Sequence, residues 1–305
     1  MSRWQATDTP DLTGKTVVVT GANSGIGLEA TRVMVARGAR VVMACRSVER
    51  GQQAAATLAA GAGRTEVHAL DLASLGSVRA FAQALKAPAI DILLNNAGVM
   101  LLPYGTTADG FEKQMGINHL GHFALTSLLL PKVLAAPRGR VVQVASIAHR
   151  RARLDFNNLM CTDGHGYSAM QAYARSKLAN LLFAFELQRR LEAAGASAIA
   201  VAAHPGVSAT NLAGHFSKHW FGRIARGIGV LFAQPAADGA LPLLRAATAP
   251  DVLGGEYYGA SQWREFRGPP ERVNARPHAY DLDTAKRLWD ASASYTGEHF
   301  LALNT

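Results

Sequence analysis

A chain of 305 residues with a hydrophobic fraction of 49% has material for one large α/β domain or two smaller ones and is not a disordered chain. Its net charge of +9 favours anionic ligands such as a phosphorylated cofactor. The basic concentrations at 149–153 and 218–226 lack interleaved aromatics and no helix-turn-helix or zinc-finger spacing occurs, which argues against nucleic acid.

Two cysteines, Cys45 and Cys161, give neither a disulfide framework nor a zinc site and suit a reducing, cytoplasmic location. Residues 1–13 are polar, with Asp8, Pro10 and Asp11, and read as neither a signal segment nor a membrane anchor. Short apolar runs then alternate with helical patterns, the signature of βαβ units and a parallel sheet. Strands are predicted at 16–20, 40–45, 66–70, 90–95, 140–145 and 198–203, and helices at 26–37, 48–59, 74–85, 110–134 and 168–192. No Pro- or Gly-rich linker divides the series, so the expectation is a single doubly wound Rossmann-type α/β domain over 1–305. It would carry a substrate-lid segment at about 207–234 and a C-terminal extension at about 254–305.

The first strand runs into Thr20-Gly21-Ala22-Asn23-Ser24-Gly25-Ile26-Gly27. Glycines at this strand-to-helix turn let the backbone approach a pyrophosphate, and the first N–H groups of the helix face the anion. Gly21, Asn23, Ser24, Gly25, Ile26 and Gly27 are accordingly cofactor candidates. The second strand ends at Arg46, where the fold usually places an acid for the ribose 2′-hydroxyl of NAD; a guanidinium suits a 2′-phosphate. A solvated arginine at a strand end is the alternative. Asp71 and Leu72 follow the third strand, and Asp71 suits either an adenine amine or a turn before the next helix. The fourth strand leads into Asn95-Asn96-Ala97-Gly98, of which Asn96, Ala97 and Gly98 are small or amide-bearing residues at a carboxyl edge. His119 and His122 share a helix face, as do His215 and His219, but no carboxylate or cysteine completes a metal site.

Ser146 ends the fifth strand, and Tyr173 and Lys177 lie one helical turn apart, able to face one cleft. Lowering a tyrosine pKa from about 10 to about 7 takes roughly 4 kcal/mol, and an adjacent ammonium is the right kind of charge to contribute. Alone, the pair also fits a core tyrosine beside a surface lysine.

Together, Thr20-Gly21-x-x-x-Gly25-x-Gly27, Asp71, Asn95-Asn96-Ala97-Gly98, Asn118, Ser146, Tyr173-x-x-x-Lys177 and Pro205-Gly206 resemble the short-chain dehydrogenase/reductase family in order and spacing. Asn118-His119-Leu120-Gly121-His122-Phe123 is similar to the retinol dehydrogenase and protochlorophyllide reductase-like branch. The resemblance implies a nicotinamide-dependent oxidoreductase acting on a carbonyl or alcohol, with Ser146 holding the substrate oxygen and Tyr173 protonating it; Arg46 makes NADP(H) the expected cofactor. Lys177 would hold the nicotinamide ribose and lower the tyrosine pKa, Asn118 would order a relay water, and Pro205-Gly206 would sit beside the nicotinamide amide. A scaffold that senses NADP(H) without turnover is the competing reading. Apolar residues from Leu212 to Phe232 point to a hydrophobic substrate; peripheral membrane contact through Lys218, Arg223 and Arg226, and homo-oligomerisation, both stay open.

Overall fold

Val17, Val18 and Val19 are all fully buried, which an apolar strand achieves only when helices cover both faces of its sheet. In the computed structural model, which describes residues 3–58, 63–207 and 234–303, this strand is β1 (Thr16–Thr20) of an eight-stranded sheet. The others are β2 (Arg40–Cys45), β3 (Arg64–Ala69), β4 (Ile92–Asn95), β5 (Arg140–Val144), β6 (Ile199–Ala203), β7 (Tyr257–Gln262) and β8 (Arg267–Arg272). Their order is β3-β2-β1-β4-β5-β6-β7-β8, parallel from β3 through β7, with β8 antiparallel at the edge. The chain reverses direction across the sheet between β1 and β4, and in such folds ligands occupy the crevice at that switch, beyond the strand carboxyl ends.

Among the described residues the helices are α1 (Gly25–Ala36), α2 (Val48–Ala56), α3 (Leu75–Ala84), α4 (Lys113–Met115), α5 (Gly121–Leu134), α6 (Ala169–Ala193), α7 (Ala236–Thr248) and α8 (Leu282–Thr296). Alternation along each strand divides the core. Val17, Val19, Val41 and Met43 pack with Met34 of α1 and Leu243 and Leu244 of α7. Val18, Val42 and Leu93 face the other way, against Phe81 of α3, Phe123 and Leu129 of α5, Phe183 of α6 and Trp289 of α8. A further cluster seats Leu178 and Leu182 of α6 on Tyr257 and Leu288.

Strand and helix positions follow the sequence reading, with corrections. The helix expected over 110–134 begins at Lys113, because Thr106 bridges Glu112 and the Glu112 carboxylate caps the amides of Gln114 and Met115. It is also interrupted by a π-turn, Gly116–Leu120, before α5. The helix expected over 48–59 ends at Ala56, where the Thr57 hydroxyl donates to the Ala54 carbonyl at 2.7 Å. Ser168 is the cap of α6 and not its first residue, accepting from the Gln171 amide. The span expected only as a C-terminal extension contains β7, β8 and α8, so it completes the sheet and covers one face. The lid reading at 207–234 and the basic residues Lys218, Arg223 and Arg226 fall almost wholly outside the described residues, as do His215 and His219.

Candidate active site

The glycine turn is tied to the neighbouring crossover by Thr20. Its hydroxyl accepts from the amides of Asn96 and Ala97, both at 2.9 Å, and the Asn96 amide side chain donates to the Thr20 carbonyl at 2.8 Å. Gly21 and Gly25 have φ of +66° and +54°, where a side chain is strained. A Cβ on Gly27 would stand 2.4 Å from both the Gly21 carbonyl and the Asn96 amide nitrogen, so only glycine leaves this turn free to close. Cys45 contributes from beneath: burial pushes its thiol up to about 11, while the Ala22 and Asn23 amides bonding to its sulfur act the other way.

A groove along the carboxyl edge is lined by Gly21, Asn23, Ser24, Gly25, Ile26 and Gly27, by Arg46, by Asp71 and Leu72, and by Asn96, Ala97 and Gly98. Tyr173, Lys177 and Pro205 line its far end. A glycine cradle at a helix N-terminus with exposed arginine at one end fits a phosphorylated dinucleotide. Asp71 serves its turn with one oxygen, Oδ1, which accepts from the Ala73 amide at 2.9 Å, and still lines the groove. Arg50, in the first turn of α2, also lines it. Sequence reasoning passed over Arg50; the Ser47 cap of α2 accepts from its amide, so it stands beside Arg46 at the strand end.

At the far end of the groove, α6 presents Tyr173 and Lys177, 9% and 4% exposed. Lys177 Nζ lies 5.8 Å from the Tyr173 ring centroid and donates to the Val144 carbonyl at 3.0 Å. Burial lowers the Lys177 pKa to about 8. Ser146, placed just after the end of β5, lies near enough to the Tyr173 hydroxyl to act on its pKa. The Tyr173 pKa differs from expectation: burial raises it, and the group that lowers it is Ser146 and not Lys177, whose ammonium is engaged with Val144. Tyr167 lies elsewhere, in a bonded set with Gln114 and Glu112.

Asn118 sits in the π-turn, a distortion that recurs at functional sites. Its side chain clasps Val99 by both backbone groups, accepting from the amide at 2.8 Å and donating to the carbonyl at 2.9 Å. Asn118 also donates to Ser176 Oγ on α6 at 2.9 Å, and a Cβ on Gly98 would come within 3.2 Å of its Oδ1. Gly206, with φ of +67°, follows Pro205 at the rim. His119 is bonded to Ser292 of α8 at 2.8 Å and His122 to Thr20 at 2.9 Å.

Residues 15–219 match the short chain dehydrogenase family, and the chain belongs to it. It is 39% identical over 305 residues to human retinol dehydrogenase 11, covering 97% of this chain and 90% of that protein. Human retinol dehydrogenase 12 is 40% identical over 292 residues, with 94% and 87% covered. The fold is similar to that of an uncharacterised protein from Mycobacterium paratuberculosis, with TM-score 0.83, 42% identity, and 98% and 99% of the two chains covered. The family and the retinol dehydrogenase-like branch expected from the motifs are thus both found, and the chain is an oxidoreductase of a family that binds a nicotinamide cofactor.

Proposed function

We propose that this protein is an NADP(H)-dependent reductase or dehydrogenase acting on the carbonyl or alcohol of a bulky, apolar small molecule, with Tyr173 as acid and base. The observation that carries the reading is one groove that Tyr173 and Lys177 line together with Arg46 and Arg50, with Ser146 near enough to the Tyr173 hydroxyl to lower its pKa. Both arginines are exposed and line the same groove, so both can reach a 2′-phosphate, for which charge-assisted bonds are strong. Asp71, Asn96 and Gly98 would take the adenosine and ribose side, and Lys177 the ribose next to the nicotinamide.

Bound NADP(H) supplies hydride exchange with the carbonyl carbon. Ser146 donates to the substrate oxygen and holds it against Tyr173, which delivers the proton to that oxygen in reduction and removes it in oxidation. Lys177, held on the Val144 carbonyl, keeps a cation near the phenol so that the tyrosinate left after proton delivery is stabilised. Asn118 fixes the Val99 loop against α6 from the opposite wall. Val99, Met100 and Ile117 give the groove an apolar stretch. With the retinol dehydrogenase relatives, they favour an apolar substrate.

The test is NADPH and NADH oxidation against aldehydes and ketones of increasing chain length. The reading expects preference for NADPH and kcat/KM rising along the series, each buried methylene contributing about 0.8 kcal/mol until the pocket fills. No turnover with any carbonyl or alcohol, despite cofactor binding, overturns it in favour of a non-catalytic NADP(H) binder.

A further inference from the structure

Behind Pro205 and Gly206 lies a set of charged and polar groups that the proposed chemistry does not use. His204 is fully buried, and its Nδ1 accepts from the Gly206 amide at 3.1 Å. The proton of this imidazole therefore sits on Nε2, which donates to Glu265 Oε2 at 3.0 Å. The other carboxylate oxygen, Oε1, pairs with Arg150 at 2.5 Å. Arg150 belongs to the 3-10 turn Ile147–Arg151, which Ser146 caps by accepting from the Ala148 amide at 3.2 Å. One carboxylate thus ties together the loop after β6 and the turn that follows Ser146.

The surroundings are shaped for this contact. A Cβ on Gly259 of β7 would lie 1.9 Å from His204 Nε2, so the strand carries glycine where the ring passes. Glu265 has a φ of +70°, between Arg264 at +58° and Phe266, an unfavourable backbone for glutamate unless other contacts hold it. The next residue adds a backbone tie, since the Phe266 carbonyl accepts from the Val207 amide at 2.8 Å. Burial would raise the Glu265 carboxyl, but His204 and Arg150 outweigh it and hold it below the usual range, so the clamp is ionic near neutrality.

We infer that Glu265 is a positioning residue which, through His204 and Arg150, fixes the Gly206 amide relative to Ser146 and so sets how tightly the nicotinamide end of NADP(H) is held, leaving its adenine end untouched. This rests on the reading above that Pro205-Gly206 receives the nicotinamide and that Arg46 and Arg50 receive the 2′-phosphate. Without the carboxylate, the imidazole loses its acceptor and Arg150 its anchor, and the loop and the Ser146 turn move independently.

Calorimetric titration of the full chain with NADP⁺ and with adenosine 2′,5′-bisphosphate, which lacks the nicotinamide half, separates the two ends. For Glu265→Ala the expectation is about tenfold weaker NADP⁺ binding with the bisphosphate unchanged, given the strength of hydrogen bonds to charged groups. Glu265→Gln, which still accepts from His204 Nε2, should recover part of that loss. Equal changes for both ligands in Glu265→Ala, or no change for either, overturn the inference, as does a Gln variant no better than Ala while its melting temperature matches the parent. Failure of the parent protein to bind either ligand is a different result: it overturns the cofactor reading itself and the inference with it.

Discussion

His122 Nε2 lies 2.9 Å from the hydroxyl of Thr20. That hydroxyl already accepts from the Asn96 and Ala97 amides, so its proton points to Nε2, and His122 Nδ1–H donates to the Asn118 carbonyl at 3.0 Å. A neutral imidazole in one tautomer therefore joins the glycine turn after β1 to the π-turn that carries Asn118.

This neutrality has a pH consequence. Burial lowers His122 to about 4, and likewise His119 to about 3 and His149 to about 4, from an ordinary 6.5. The unfolded chain takes up these protons as pH falls below 6.5, whereas the folded chain does not until near 4. The stability they contribute is complete above 6.5 and is lost as pH falls from there through the folded values. Urea midpoints should decline across this window, and His122→Gln should show a shallower decline by about one proton. A flat profile for the parent protein between pH 7 and 5 would contradict the assignment.

Tyr173→Phe keeps the ring in its packed position and removes the proton donor. Turnover should fall by about 10²- to 10⁴-fold, the usual contribution of general acid–base catalysis, while NADPH affinity stays within about twofold. Steady-state kinetics beside fluorescence titration distinguish this from a folding defect.

Arg46→Ala and Arg50→Ala should each weaken NADPH by roughly tenfold or more and leave NADH nearly unaffected, since charge-assisted bonds to the 2′-phosphate are absent from NADH. The ratio of the two dissociation constants is the readout, and a ratio unchanged in both variants would remove the arginines from the phosphate site.

Gly27→Ala and Gly76→Ala form a matched pair of helical glycines. At Gly27 the new Cβ would meet the Gly21 carbonyl at 2.4 Å, whereas at Gly76 the nearest atom is Ser74 Oγ at 3.6 Å. The first should lower the melting temperature and weaken cofactor binding, with overpacking costing about 1–3 kcal/mol. The second should be neutral or stabilising by up to about 1 kcal/mol. Thermal melts of the two variants with and without NADP⁺ check both.

The parts of the fold legible in the sequence are those with local signals. Val17 to Val19 followed by a glycine turn, and Tyr173 one turn before Lys177, declare their elements through periodicity and spacing. The groove residues from Gly21 to Gly98 could be placed because parallel strands deliver their carboxyl ends to one edge. The rest depends on distant partners. β7 contains Gly259, which weakens any strand signal and is explained only by His204 across the sheet. The π-turn at Asn118 leaves no mark in a helical pattern, and Glu265 lies far in sequence from the two residues it joins.

The final strand, β8, carries Pro269 and Pro270 in Arg-Gly-Pro-Pro-Glu-Arg, paired through Pro270 with Ala260 of β7. Two successive residues without an N–H give an incoming strand no donors at the centre of this margin, and the arginines at either end add charge that another basic chain would meet unfavourably. Here the sheet has a built-in terminus: the same proline pair that obscures β8 as a strand discourages another chain from extending it.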